Sequence, residues 1–153
     1  MNTSCHEAII AIGTNVADRK SQIACALEAL RATTGIESVE RGPVIETDPV
    51  LPSDSCQPQP SFLNTVAAIA TRLAPEVLMS RLLAIEAQLG RRRTGSVAPR
   101  TIDLDLLVVG ELRCTRPGLI LPHPRMWDRA FVMEPLEALR PGLADRLAHL
   151  KGG

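Results

Sequence analysis

The sequence predicts an α+β fold in which helices pack on an antiparallel sheet. Two observations lead to this prediction. Four short runs of branched apolar residues are interspersed with two segments of helical periodicity, and glycine or proline stands near most of their boundaries. At 153 residues the chain has the length of one domain, and a domain of this size can fold without a disulfide or a metal ion.

The first half of the chain predicts a strand, a helix and a second strand. The first strand covers Glu7 to Gly13 (EAIIAIG), a run rich in isoleucine that ends on glycine. Asp18 is then suited to cap the N-terminus of a helix. Apolar residues follow with the spacing of one helix face, namely Ile23, Leu27 and Leu30. The mixture of Val, Ile and polar residues from Ile36 to Thr47 predicts the second strand.

The second half predicts a strand, a helix and a strand. The strands are Phe62 to Leu73 and Ile102 to Val109, and Pro75 opens the helix between them. The apolar stripe of this helix comprises Leu78, Leu82, Ile85 and Leu89. The resulting order is that of a ferredoxin-like βαββαβ sandwich. In such a sandwich we expect helices on one face of the sheet and ligand on the other.

Two segments lack the periodicity of helices or strands. Residues 48–61 contain four prolines and many polar residues, and residues 91–100 are rich in arginine. Loops of this length in a small domain are commonly functional. We therefore expect two mobile active-site loops.

The composition excludes several classes of protein. No apolar run reaches the ~20 residues that a membrane-spanning helix needs, and the first ten residues do not resemble a signal peptide. The cysteines are widely spaced, at Cys5, Cys25, Cys56 and Cys114. This spacing favours reduced thiols over a disulfide framework or a zinc site. We expect a soluble, cytoplasmic monomer with no membrane partner.

The charges are balanced overall but unevenly distributed. Residues 1–76 carry 5 basic and 9 acidic side chains, whereas residues 77–153 carry 12 and 8. Four arginines lie close together, at Arg91, Arg92, Arg93 and Arg100. Guanidinium groups suit phosphate oxygens, but the chain has no Tyr, two Phe and one Trp for stacking on bases. These features favour a compact anionic ligand over a nucleic acid.

Asp103 and Asp105 are the strongest candidates for chemistry. They are two residues apart on a predicted strand, so both side chains point to one face. A divalent cation such as Mg²⁺ would relieve their repulsion and would also bind phosphate oxygens. Together with Arg100 and the other arginines, the pair suggests phosphoryl transfer without a P-loop. The alternative is that the two carboxylates are solvated or pair with nearby arginines.

Six segments in order give the chain a resemblance to a known family. They are AIGTNVADR (11–19), ETDPV (46–50), FLNTVA (62–67), IEAQLGRRR (85–93), APRTIDLDLL (98–107) and LPHPRMWDRAFV (121–132). This set resembles the 6-hydroxymethyl-7,8-dihydropterin pyrophosphokinases of folate biosynthesis. The resemblance implies one ferredoxin-like pyrophosphokinase domain over residues 1–153. It also implies transfer of diphosphate from ATP to 6-hydroxymethyl-7,8-dihydropterin, with release of AMP.

The resemblance also implies a role for individual residues. Asp103 and Asp105 would hold two Mg²⁺ ions, and Arg91 and Arg100 would act on the phosphates as catalytic residues. The implied ATP site consists of Glu86, Arg91, Arg93, Arg100, His123 and Arg129. The implied pterin site consists of Thr47, Val50, Phe62, Asn64 and Phe131, with the two phenylalanines on either side of the ring and Asn64 at its polar edge.

Alternatives to these roles stay open at this stage. Without the resemblance, Phe62 and Phe131 would be core residues, Asn64 would cap a turn, and Glu86 and His123 would be ordinary surface groups. The family pattern also has a basic residue and often an aromatic one where this chain has Ser96 and Val97. We expect an active but slower enzyme. The alternative function is a divergent relative that binds pterin or nucleotide without catalysis.

Overall fold

The computed structural model describes residues 4–15, 18–47, 61–90 and 102–151. The strands are β1 (His6–Thr14), β2 (Ile36–Arg41), β3 (Ile45–Thr47), β4 (Phe62–Thr71), β5 (Asp103–Val109), β6 (Cys114–Arg116) and β7 (Leu119–Leu121). The α-helices are α1 (Arg19–Arg31), α2 (Pro75–Gly90), α3 (Ala130–Leu139) and α4 (Leu143–Leu147), with 3₁₀ turns at Met126–Asp128 and Ala148–Leu150.

The main sheet has the predicted ferredoxin-like topology. Its strands follow the order β2-β4-β1-β5, β3 also pairs with β4, and every pairing is antiparallel. The α+β prediction is therefore confirmed. β6 and β7, which we did not predict, form a separate two-stranded hairpin.

The predicted strand from Ile36 to Thr47 is wrong in one respect, because the structure divides it into β2 and β3. The break falls at residues 42–44. Pro43 has no backbone N–H and cannot donate to the ladder. Gly42 stays attached to β4, since its N–H donates to the carbonyl oxygen of Val66 at 2.8 Å. The result is a short β3 that pairs with the first residues of β4.

Helices α1 and α2 cover one face of the sheet as predicted. Asp18 caps α1 by accepting a hydrogen bond from the backbone N–H of Ser21 at 3.2 Å. The buried residues of the two helices include every predicted position: Ile23, Leu27, Leu30, Leu78, Leu82, Ile85 and Leu89. They pack with alternate apolar residues of β1, β4 and β5 in one core.

The expectation that the opposite face is left for ligand is wrong for most of the sheet. Helices α3 and α4 cover that face and form a second core with β1, β4 and β5. This core includes Ile9, Ala11, Val66, Leu107, Val132, Leu136 and Leu147. The physical reason lies in the strands themselves, because runs such as AIIAI and VAAIA are apolar on both faces and need cover on both.

Two further features concern the helices and the cysteines. No helix among the described residues is long and apolar enough to cross a membrane. Cys5, Cys25 and Cys114 are free, and Cys56 lies outside the described residues.

Arg140, at the C-terminal end of α3, binds two strands at once. Its guanidinium lies 3.0 Å from a carboxylate oxygen of Glu7 on β1 and 2.9 Å from one of Glu40 on β2. The hydrogen bond from Arg140 holds the pKa of Glu40 below its ordinary value. A depressed carboxyl pKa stabilises the fold above the unfolded-state pKa, and this contribution disappears as the pH falls through the folded-state pKa.

Replacing Arg140 with glutamine should lower the melting temperature at pH 7. The difference from the parent protein should shrink as the pH falls from 5 to 3, because the carboxylate of Glu40 becomes protonated. Arg81→Gln, an exposed arginine on α2, is the matched control for the loss of one charge. Thermal melts of all three proteins across this pH range measure the effect, and a difference independent of pH would contradict it.

Candidate functional site

Two cavities adjoin at one end of the sheet and share three residues. The smaller, of about 370 Å³, is lined by Gly13, Thr47, Phe62, Asn64, Asp103, Asp105, Arg129 and Phe131. The larger, of about 520 Å³, is lined by Met79, Leu83, Glu86, Asp103, Leu104, Asp105, Leu106, Gly118, Ile120, His123, Pro124, Arg125 and Arg129. Asp103, Asp105 and Arg129 therefore lie where two ligands would meet.

Strand pairing places the two carboxylates at this junction. Leu104, between them, is buried on the side of α1 and α2, so Asp103 and Asp105 point together to the opposite face, as predicted. Their partners on β1 are Gly13 and Ala11, respectively. Small residues beside the carboxylates leave space above them. Both aspartates are partly exposed, and Arg129 lies 3.8 Å from Asp105.

In the smaller cavity, a polar amide lies close to two aromatic rings. Asn64 is only 6% exposed, and its Nδ2 donates to Oγ1 of Thr47 at 3.0 Å. Phe62 comes from the start of β4 and Phe131 from the first turn of α3. The Arg129 guanidinium lies 5.7 Å from the centre of the Phe131 ring, within cation–π range. The cavity thus combines flat apolar surfaces with fixed hydrogen-bonding groups.

Gly13 allows Asn64 to lie where it does. The two residues are paired across β1 and β4, and a Cβ atom at position 13 would stand 2.9 Å from Oδ1 of Asn64. Such an approach is too close for real Cβ atoms, so any larger residue would displace the amide. Sequence reasoning placed Gly13 at a strand end, but it gave no sign of this contact.

We expect Gly13→Ala to weaken binding of a pterin ligand by about tenfold, which corresponds to one lost buried hydrogen bond. Nucleotide affinity should change little, because Gly13 lines only the smaller cavity. Calorimetric titration of each ligand measures both. In an Asn64→Ala background the glycine substitution should have little further effect. Equal losses in both backgrounds would contradict the steric explanation.

The larger cavity contains both predicted and unpredicted residues. Glu86 connects its walls, because its Oε2 accepts a hydrogen bond at 2.6 Å from the backbone N–H of Leu104. Sequence reasoning gave no ligand-binding role to Met79, Leu83, Ile120 or Arg125. One signal was available: Leu83 lies off the buried stripe of α2. The structure leaves it 56% exposed, and Ile120 47% exposed.

The surroundings of His123, at the edge of the larger cavity, favour its neutral form. Its backbone N–H donates to the carbonyl oxygen of Leu107 at 2.7 Å, which attaches the segment to β5. Its Nδ1 accepts from the backbone N–H of Arg125 at 3.1 Å. Burial lowers the pKa of His123, and Arg129 and Arg125 lower it further against the opposing effect of Asp105. The neutral ring therefore carries its proton on Nε2 as a donor.

The structure brings together all nine predicted site residues that it describes. They are Thr47, Phe62, Asn64, Glu86, Asp103, Asp105, His123, Arg129 and Phe131, each lining one or both cavities. Val50, Arg91, Arg93 and Arg100 lie outside the described residues, as do Ser96, Val97 and both predicted mobile loops apart from Ser61. The described residues contain no cluster of three or more metal-ligating side chains.

Comparison of the sequence with models of known protein families gives a match over most of the chain. The model of the family described as 7,8-dihydro-6-hydroxymethylpterin-pyrophosphokinase (HPPK) matches residues 9–141. The chain belongs to the HPPK family. This confirms the resemblance inferred from the six sequence segments.

Individual HPPK relatives agree with the family match. The chain is 42% identical over 134 residues to the 2-amino-4-hydroxy-6-hydroxymethyldihydropteridine pyrophosphokinase of Pseudomonas aeruginosa, covering 88% of this chain and 80% of that protein. It is 39% identical to the protein of the same name from Methylorubrum extorquens, covering 89% and 84%. The mitochondrial folate synthesis bifunctional protein of Arabidopsis thaliana is 37% identical, but the match covers 92% of this chain and only 24% of that protein.

Solved structures support the HPPK fold. An HPPK-DHPS crystal structure in complex with substrates matches with a TM-score of 0.63 at 12% identity, covering 89% of this chain and 40% of that one. The Plasmodium falciparum HPPK-DHPS S436F/A437G/A613S triple mutant with SDX-DHP matches with a TM-score of 0.64, also at 12% identity, covering 88% and 40%. At this identity the likeness concerns the fold alone.

Proposed function

We propose that this chain transfers the diphosphate group of ATP to the hydroxymethyl oxygen of 6-hydroxymethyl-7,8-dihydropterin and releases AMP. The observation that supports this most strongly is the sharing of Asp103, Asp105 and Arg129 between two cavities. A transfer reaction needs two substrates whose reacting atoms meet beside groups that manage phosphate charge. Membership of the HPPK family supplies the reaction class.

The smaller cavity suits the pterin. The rings of Phe62 and Phe131 offer apolar surfaces for a flat heterocycle. Asn64 offers an amide at its polar edge, held in place by Thr47 at 3.0 Å. A pterin seated there would direct its hydroxymethyl group toward Asp103 and Asp105. Val50, outside the described residues, would complete this site through its main chain.

The larger cavity suits ATP. Leu83 and Ile120 provide exposed apolar surface beside the base, and the neutral His123 ring can donate to a phosphate oxygen without adding charge. Arg129 would stabilise negative charge where the cavities meet, since its guanidinium faces both. Glu86 would shape the wall through its bond to Leu104. Arg91, Arg93 and Arg100 would add phosphate contacts.

Asp103 and Asp105 fit a magnesium site. Mg²⁺ keeps several waters and binds one or two protein carboxylates together with substrate phosphates, so two aspartates beside an open cavity are a sufficient protein contribution. Bound Mg²⁺ would neutralise phosphate charge and orient the triphosphate for in-line attack. We propose that the two carboxylates hold two such ions with ATP.

In the proposed reaction the hydroxymethyl oxygen attacks the β-phosphorus. The bond from the β-phosphorus to the bridging oxygen of the α-phosphate breaks, AMP leaves with that oxygen, and the proton of the hydroxymethyl group is released to solvent. The contribution of the chain is to hold the two substrates in line and to stabilise the charge that develops on the transferred group. We propose a monomeric enzyme, for which the two cavities lined by this one chain would suffice. Three free thiols support a cytoplasmic location.

The test is to mix the protein with ATP, Mg²⁺ and 6-hydroxymethyl-7,8-dihydropterin and to quantify AMP and ADP. We expect AMP that depends on the pterin, with the label of γ-³²P-ATP recovered on the pterin. Because of Ser96 and Val97, we expect turnover below that of the Pseudomonas relative under the same conditions. ADP as the product would contradict diphosphate transfer. Binding of both substrates without AMP would indicate the non-catalytic alternative.

A further inference from the structure

Arg19 lies behind the pterin cavity and connects the two strands that form its wall. Its Nη1 donates to Oε2 of Glu46 at 3.1 Å, to the carbonyl oxygen of Ser61 at 2.6 Å and to Oγ of Ser61 at 2.7 Å. Ser61 also donates its hydroxyl to Glu46. The guanidinium of Arg19 thus joins Glu46 and Ser61, which are 15 positions apart in the sequence.

The positive charge of Arg19 is placed unfavourably with respect to the dipole of its own helix. It is the first residue of α1, and the first turn contains no acidic residue. A cation at a helix N-terminus is repelled by the helix dipole. Glu46 offsets this repulsion, because hydrogen bonds from Ser61 and then Arg19 hold the pKa of Glu46 below its ordinary value and keep it charged at neutral pH. The arginine is therefore explained by its tertiary partners.

Each partner of Arg19 is adjacent in sequence to a residue of the cavity. Glu46 precedes Thr47, and Ser61 precedes Phe62; Thr47 and Phe62 are directly paired across β3 and β4. Because neighbouring side chains on a strand point to opposite faces, Thr47 and Phe62 face the cavity while Glu46 and Ser61 face α1. Among the described residues, the side-chain hydrogen bonds of Arg19 go to the second pair, and Arg19 is not part of the lining of the smaller cavity.

We infer that Arg19 is a positioning residue for the pterin site, which fixes the spacing of Thr47 and Phe62 by binding Glu46 and Ser61 from the opposite face of the sheet. Through Thr47 the same constraint reaches Asn64, whose Nδ2 donates to the threonine hydroxyl. This inference rests on the proposed function for the identity of the ligand. It adds a requirement for binding of the pterin and none for binding of the nucleotide.

The experiment compares Arg19→Gln, Arg19→Lys and the parent protein. Pterin affinity is measured in the presence of α,β-methylene-ATP, an analogue cleaved neither by transfer nor by hydrolysis at that position, and analogue affinity is measured separately. Arg19→Gln should raise the pterin Kd and the pterin KM by about tenfold. The Kd of the analogue should stay within about twofold of the parent value, and the loss in kcat should be smaller than the rise in KM. Arg19→Lys keeps the charge but changes the reach and geometry of the donor, so its pterin Kd should lie between those of Arg19→Gln and the parent protein.

Arg31→Gln is the matched control, because it removes a guanidinium from the same helix. In the part of the chain that the structure describes, Arg31 forms a local ion pair with Glu28, three residues earlier, at 2.6 Å. It should leave the affinities for both ligands unchanged. Ser61→Ala is a milder variant that removes the hydroxyl and leaves the carbonyl contact, and it keeps the test valid if Arg19→Gln folds poorly. It should raise the pterin Kd by about threefold.

Unchanged pterin affinity in both Arg19→Gln and Ser61→Ala would overturn the inference, whether or not their melting temperatures fall. Equal losses of pterin and nucleotide affinity would overturn it too, because a general structural defect would then explain them. The proposed function is tested separately, and it fails if the parent protein forms no AMP. A selective loss of pterin affinity in the variants would support the positioning role even then.

Discussion

Replacing Asp105 with asparagine should lower kcat/KM for AMP release by about 10²- to 10³-fold, the scale on which single groups stabilise a transition state by charge. Asp103→Asn should have an effect of the same order. Asparagine preserves the shape of the side chain and removes the charge. The loss therefore measures the electrostatic role of the carboxylate at the junction of the two cavities, with packing nearly unchanged.

Three further measurements connect the loss to metal binding. The Mg²⁺ concentration for half-maximal activity should rise in both variants, because each removes one anionic ligand. Pterin affinity without nucleotide should be largely retained, since Phe62, Asn64 and Phe131 remain. The melting temperature should change little, because relief of the repulsion between the two carboxylates is offset by a weaker pairing of Asp105 with Arg129.

Asp145→Asn is the matched control for these substitutions. Asp145 is an exposed aspartate on α4, outside both cavities, and its replacement removes the same charge. Activity and Mg²⁺ dependence should not change. If Asp103→Asn and Asp105→Asn both turned over at a rate near that of this control, the two carboxylates would have no part in catalysis.

The site shows which features local sequence patterns can predict. The common orientation of Asp103 and Asp105 follows from the two-residue period of a strand, and it needed no knowledge of the rest of the fold. The position of Gly13 between Asn64 and Asp103 is different, because it depends on the register of β1 with two other strands. Register is set by the whole hydrophobic pattern and by long-range pairing. The contact between Gly13 and Asn64 was therefore not predictable from spacing.

Helix α3 was missed for a physical reason. It has only ten residues, and Pro135 lies inside it, which local rules treat as a helix breaker. Tertiary packing outweighs that penalty, because Val132, Pro135 and Leu136 are buried against the sheet. The apolar residues on both faces of β1, β4 and β5 are a signal for a second layer, which our expectation of a ligand-binding face overlooked. What they could not indicate was which segment supplies it.

The importance of α3 leads to the second large effect. Replacing Leu136 with alanine should lower the free energy of unfolding by about 2–5 kcal/mol, the usual cost of deleting a buried leucine side chain. Leu136 is 1% exposed and packs in the core between α3 and the sheet. Denaturant unfolding followed by circular dichroism measures the change. The free energy of unfolding should decrease with denaturant concentration at the same slope as in the parent protein, because the surface exposed on unfolding is nearly the same.

Two controls separate the effect of the void left by the shortened side chain from other effects of the substitution. Leu136→Met conserves volume and should cost less than about 1.5 kcal/mol, whereas Leu112→Ala truncates a leucine that is 43% exposed and should cost less still. Because α3 begins directly after Arg129 and carries Phe131 in its first turn, Leu136→Ala should also weaken pterin binding at temperatures where the protein remains folded. A loss of stability no greater than that of Leu112→Ala would mean that α3 does not hold the second layer on the sheet. In that case the position of Arg129 and Phe131 beside the two aspartates would need another explanation.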